Sequence, residues 1–207
     1  GGSALDILYG VRDGGDWRGL ASRAFEGAGS HGNGAAMRIA PLGAWFADSI
    51  PVTIEQARLA SEVTHTHVDG IAGGIAVAVA AALAAGHRPP DPEEFIATVA
   101  DLTPDSAVRA GLRVARAMGG AVPATHVAEA VGNGSRISAA DTVPVAIWTA
   151  AWHLDDFPRA VRTVVSVGGD MDTTAAIVGG IVAAGSPRID VPPSWAAARE
   201  PLPDWLR

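Results

Sequence analysis

Residues 70–86 read GIAGGIAVAVAAALAAG and carry no charge. A helix built from this run is apolar on every side, so other elements must enclose it. The run is also short and mostly Gly and Ala. A helix that crosses a bilayer needs about 20 strongly apolar residues. The reading is therefore a buried central helix with no membrane span, and the chain must supply a shell of further helices around it.

The remaining punctuation is helical. Thr53-Ile-Glu-Gln56 has capping-box spacing. Asp91-Pro-Glu-Glu94 repeats the device, with Pro92 at the first helical position. Phe95, Ile96, Val99 and Leu102 follow at helical spacing. Thr103-Pro104 is expected to open the next helix, whose Val108, Leu112, Ala115 and Met118 form one stripe away from Arg109, Arg113 and Arg116. Gly119-Gly120 ends it. Ser138 to Asp141 and Asp156-Phe-Pro158 mark two more starts, the second helix running to about Val167. No segment alternates with period two. The expected fold is all-α, a single-domain orthogonal bundle of roughly eight to ten helices over residues 1–207. Its Pro-rich arm, 188–207, is expected to pack on the body through Trp195 and Trp205.

Composition narrows the function. Of the 207 residues, 48% are hydrophobic, enough to build a core. The net charge is −7 with no basic run, which argues against a nucleic-acid partner. There is no cysteine, so disulfides, thiolate metal sites and cysteine nucleophiles are excluded; a reducing, cytoplasmic location is expected. The opening GGSALDILYG lacks the basic and apolar regions of a signal peptide.

The stretch VGGDMDTTAAIVGG, 167–180, sets two acids and two hydroxyls at the mouth of an apolar helix. Residues two apart on a helix point about 200° from each other. Asp170 and Asp172 can therefore share a site only if the chain is still turning there, a freedom that Gly168-Gly169 supplies. Helix capping needs one such acid. Two carboxylates and the Thr173 hydroxyl are hard donors suited to Mg²⁺ or Mn²⁺. Both readings stand on the pattern alone.

A second constellation is GAGSHGNGAAMR, 27–38, with a helix expected from about Ala35. Glycines before a helix start let backbone amides approach a phosphate, with Ser30, His31 and Asn33 as polar edges; a plain flexible loop is the alternative. His65, in Thr64-His-Thr-His67, closes one helix before the buried run. It reads as a ligand contact or as a structural histidine at a helix end. Val131-Gly-Asn-Gly134 is a third Gly/Asn loop, with a turn as its default meaning.

Taken together, GGDWR (14–18), GSHGNGAAMRIAPLG (29–43), THTHVDGIAGGIAVA (64–78), VGNGSRISAADTVPVAIW (131–148), GGDMDTTAAIVGGIVAA (168–184) and the REPLPDW tail resemble the ADP-ribosylglycohydrolase family. The resemblance implies an all-α fold and a binuclear Mg²⁺ or Mn²⁺ centre. It implies hydrolysis of the glycosidic bond joining ADP-ribose to a protein side chain or small molecule. By position, Asp170, Asp172 and Thr173 match metal ligands, the two aspartates standing at the reaction centre. Gly29, Ser30, His31, Gly32, Asn33 and Gly34 match the loop around ribose and phosphates. His65 and Val131 match substrate-lining positions. Met171 stands where the family usually has Thr and is expected to point away from the metal. The family normally begins with a GD-x-x-G helix carrying a Glu, then a Thr-Asp-Asp-Thr segment. Neither is found here, so the natural product is expected to be longer. The alternative expectation is a non-catalytic ADP-ribose-binding or structural helical module.

Overall fold

A computed structural model describes residues 2–86, 91–186, 190–201, 203 and 204. Among them are thirteen α-helices and no strand. In chain order they are α1 (Gly2–Arg12), α2 (Trp17–Arg23), α3 (Gly34–Arg38), α4 (Ala40–Trp45), α5 (Ile50–Glu62), α6 (Val68–Ala84) and α7 (Pro92–Leu102). Then come α8 (Ala107–Ala117), α9 (Ala124–Val131), α10 (Ala139–Ala151), α11 (Phe157–Ser166), α12 (Met171–Gly185) and α13 (Pro193–Ala198). The all-α expectation holds. The helix number exceeds it because α2, α3, α4 and α13 have only five to seven residues, too few to show an apolar repeat.

The uncharged run is α6, and α3, α4, α5, α7, α8, α10 and α12 all pack against it. Its small residues let neighbours approach closely. A Cβ on Gly74 would stand 2.1 Å from Ser61 Oγ of α5. On the α4 side, a Cβ on Gly43 would stand 2.1 Å from the Ala78 carbonyl oxygen. Larger side chains fill the space beyond: Phe95, Ile96, Leu112, Ile147, Ile177 and Ile181 are fully buried. The predicted stripe on α8 faces this core through Val108, Leu112 and Ala115. No helix among the described residues is long and apolar enough to cross a membrane.

Three predicted caps hold. Asp91 accepts from the Glu93 amide at 2.9 Å, Asp156 from the Arg159 amide at 2.9 Å and Ser138 from the Asp141 amide at 3.3 Å. Two predicted starts need correction. Thr53 lies inside α5, which begins after Ser49, and its hydroxyl donates to Phe46 O at 2.8 Å. Thr103 ends α7 and donates to Val99 O at 2.7 Å, while Ser106 caps α8. A hydroxyl with capping spacing can bond back into the preceding chain just as well.

In the C-terminal arm, the Arg162 guanidinium lies 5.2 Å from the centroid of the Trp195 ring. Residues 187–189, 202 and 205–207, Trp205 among them, lie outside the described residues. Four segments converge at one end of the bundle: the loop entering α3, the α5–α6 connection, the α9–α10 loop and the turn entering α12.

Candidate functional site

Gly29 and Gly32 shape the loop entering α3. Gly29 has φ +73°, and a Cβ there would lie 2.2 Å from Thr66 Oγ1 and 2.7 Å from the His67 amide. It seats the loop on the α5–α6 connection and does not line the cleft. At Gly32 the loop makes a single antiparallel bridge to Ser138, and the Ala139 amide donates to His31 O at 2.9 Å. Ser30 Oγ accepts from the Gly32 amide at 3.2 Å. The His31 ring stays exposed, 6.0 Å from the Phe25 ring and 5.6 Å from the His67 ring.

Asn33 holds the N-cap position of α3 but makes no side-chain cap there. Its amide nitrogen instead donates to Asp170 Oδ2 at 2.7 Å and to Thr142 Oγ1 at 3.0 Å. The second Gly-Asn-Gly loop grips the same aspartate through the backbone. The Asp170 amide donates to Asn133 O at 3.3 Å, and Asn133 Nδ2 donates to Val167 O at 3.1 Å. A Cβ on Gly134 would come within 2.7 Å of Asp170 Cβ, and one on Gly169 within 2.6 Å of Asn133 Oδ1. Only glycine permits so close a clasp.

Gly168 and Gly169 take φ +72° and +73°, so the chain is still turning as it reaches Asp170, and α12 starts at Met171. The Asp170 and Asp172 carboxyls therefore meet. Asp172 is held below the ordinary carboxylate value, first by a hydrogen bond shared with Asp170, then by the backbone amides of Asp172 and Thr173. Thr173 is buried, its hydroxyl 3.5 Å from Met37 Sδ. Met171 is 46% exposed and is not among the residues lining the cleft.

His65 sits 5% exposed under the loop, and its Nδ1 is 2.7 Å from Thr64 Oγ1. Burial, followed by the nearby Arg38 charge, lowers its pKa to about 4. The ring is thus neutral at physiological pH.

Ser30, His31, Gly32, Asn33, Gly34, His65, Asp170, Asp172 and Thr173 line one cleft of about 620 Å³. Val131 does not. It lines a neighbouring cavity of about 570 Å³, and Arg136 borders both spaces. Phe25, Met37, Arg38, Arg136 and Ile137 also line the cleft and were not among the predicted site residues. Met37 and Arg38 were visible inside GNGAAMR. Phe25 and Ile137 owe their placement to φ +53° and +54°, which side chains of their kind rarely adopt and no sequence signal announces.

The donor set fits part of a divalent-cation site. Two converging carboxylates and a hydroxyl are hard oxygen ligands, and three protein donors fill half of an octahedral shell. No cluster of three or more His, Asp or Glu suited to a metal occurs among the described residues. A complete shell must draw on water, substrate oxygens or other protein ligands.

Comparison with known proteins identifies the family. The family model for ADP-ribosylglycohydrolase matches residues 1–207. The chain is 31% identical to ADP-ribosylhydrolase ARH3 of Gallus gallus over 208 aligned residues, covering 85% of this chain and 55% of that protein. It is 28% identical to ADP-ribosylhydrolase ARH3 of Homo sapiens, covering 85% and 56%. It is 32% identical to an uncharacterized protein of Archaeoglobus fulgidus, covering 78% and 51%. The chain spans about half the length of these relatives. With its matching profile and all-helical architecture, the chain belongs to the ADP-ribosylglycohydrolase family.

Proposed function

We propose that this chain carries the ADP-ribose-binding cleft of a hydrolase that cleaves the bond between ribose and an acceptor on a protein or small molecule. The observation that carries this reading is the single cleft uniting the glycine loop, His65 and the Asp170–Asp172 pair. Loop amides and the Ser30 hydroxyl suit phosphate and ribose oxygens, and neutral His65 offers a hydrogen bond without a charge. Asp170, Asp172 and Thr173 would hold Mg²⁺ or Mn²⁺, with two ions expected in a complete site. Such an ion, when bound, supplies a fixed positive charge beside the ribose and a more acidic water.

Asn33 orients Asp170 so that its carboxylate faces this space. Glycosidic hydrolysis passes through an oxocarbenium-like state and needs a carboxylate to handle the water. The two carboxylates that line the cleft are both assigned to the ion, which leaves neither free for that task. That assignment favours a second reading, in which these residues bind ADP-ribose without turning it over.

Calorimetry with ADP-ribose, with and without Mg²⁺ or Mn²⁺, tests the binding. Release of ADP-ribose from arginine-, serine- and acetyl-linked substrates tests the hydrolysis. Binding with release supports the first reading, and binding without release the second. No heat with millimolar ligand under either condition overturns both.

A further inference from the structure

Arg38 lies on α3 and Thr64 follows α5, yet both end at His65. The guanidinium donates to Gly34 O at 3.0 Å, to Ala60 O at 3.0 Å and to Thr64 Oγ1 at 2.9 Å. Thr64 Oγ1 is in turn 2.7 Å from His65 Nδ1. We propose that Arg38 and Thr64 are positioning residues that set the tautomer of His65, so that Nε2–H presents a hydrogen-bond donor to a ribose or phosphate oxygen in the cleft. The choice of ligand rests on the proposed function; the tautomer does not.

Proton accounting carries the assignment. A guanidinium only donates, so Thr64 Oγ1 is an acceptor toward Arg38. Thr64 is 4% exposed, and no carbonyl lies in hydrogen-bond range of its hydroxyl among the described residues. If His65 carried its proton on Nδ1, the Thr64 O–H would be buried with no acceptor, and its desolvation would go uncompensated. Nδ1 therefore accepts from Thr64. The ring is neutral, so its one proton sits on Nε2.

Nε2 makes no hydrogen bond to the described residues and is not one of their buried unpartnered atoms, so it reaches the cleft directly under the glycine loop. A Cβ on Gly32 would come within 3.3 Å of it, and one on Gly34 within 3.4 Å. The bare loop keeps this donor open to the cleft. Arg38 also binds Gly34 O and so ties the loop to the histidine it uncovers.

Long-range ¹H–¹⁵N NMR on protein labelled in the histidine rings reads the tautomer directly. In the wild type we expect a bare Nδ1 and a protonated Nε2 on His65. Thr64→Val should shift that balance and weaken ADP-ribose binding about tenfold, the loss of one hydrogen bond, whereas Thr64→Ser should keep both. A wild-type His65 protonated on Nδ1 overturns the proposal with no variant needed. So does a folded Thr64→Val protein with tautomer and affinity unchanged. If the wild type fails to bind ADP-ribose, the proposed function falls, while the ring spectrum still decides the tautomer.

Discussion

Asn33 Nδ2 lies 2.7 Å from Asp170 Oδ2, across 137 residues of chain. One amide thus joins the glycine loop to the turn that opens α12, and a second bond to Thr142 adds α10 to the same knot. Asn33→Ala removes both donors from a buried position. A loss of about 1–2 kcal/mol in urea unfolding is expected. Asn33→Asp keeps the shape but places a third carboxylate against Asp170 and should be worse. An Asn33→Asp protein as stable as the wild type would mean that the amide contributes shape alone.

The aspartate pair makes a separate prediction. Two carboxylates and a hydroxyl lining one cleft are hard donors and should take up a divalent ion readily. Titration with Mn²⁺, followed by electron paramagnetic resonance, should show binding to the wild type. Asp170→Asn and Asp172→Asn should each weaken it at least about tenfold, since each removes an anionic ligand. Asp172→Asn should also be tolerated structurally, because that side chain is exposed. Undiminished Mn²⁺ binding in both variants would place the ion elsewhere.

How much of this was legible depended on the range of the interaction. Gly168-Gly169 before Asp170 announced a turn through local chain chemistry alone, and the turn is there. The caps Asp91, Ser138 and Asp156 are local in the same sense. Thr53 and Thr103 misled because a hydroxyl has two local choices, and packing decides between them. Gly-Asn-Gly occurs at 32–34 and again at 132–134, and nothing local says what the two loops share. Only the folded chain brings Asn33 and Asn133 to one aspartate, the first through its side chain and the second through its carbonyl. The Arg38–Thr64–His65 relay and the positive φ of Ile137 lie beyond any local pattern.

Acid should weaken the fold through His65. Its pKa is lowered to about 4 in the folded chain, against about 6.5 when unfolded. Between those values the unfolded state binds more protons, so stability rises with pH. The contribution is complete above the unfolded value and is lost as pH falls through the folded one. It should amount to about 1–2 kcal/mol. Burial lowers the His153 pKa too, so His65→Gln should reduce the slope without abolishing it. Urea unfolding at pH 7 and at pH 4.5 gives the comparison. An unchanged slope in His65→Gln would show that this ring is as solvated folded as unfolded.

The centre of the bundle offers the sharpest test of packing. A Cβ on Gly43 would meet the Ala78 carbonyl oxygen at 2.1 Å and Ala78 Cα at 2.8 Å. Both are backbone atoms of α6 and cannot swing aside, so Gly43→Ala must push α4 away from the central helix. About 3 kcal/mol of destabilisation is expected, seen as a lower urea midpoint. Gly179→Ala on α12 is the matched control. Its nearest neighbour is the Phe157 ring edge at 3.3 Å, which can shift, and alanine is the better helix former. That variant should stay within about 1 kcal/mol of the wild type. Because α4 follows α3 after one residue, displacing it should also loosen the loop that roofs His65. Gly43→Ala should therefore weaken ADP-ribose binding while Gly179→Ala does not. Equal stability of the two variants would show that α4 and α6 are not in backbone contact at Gly43.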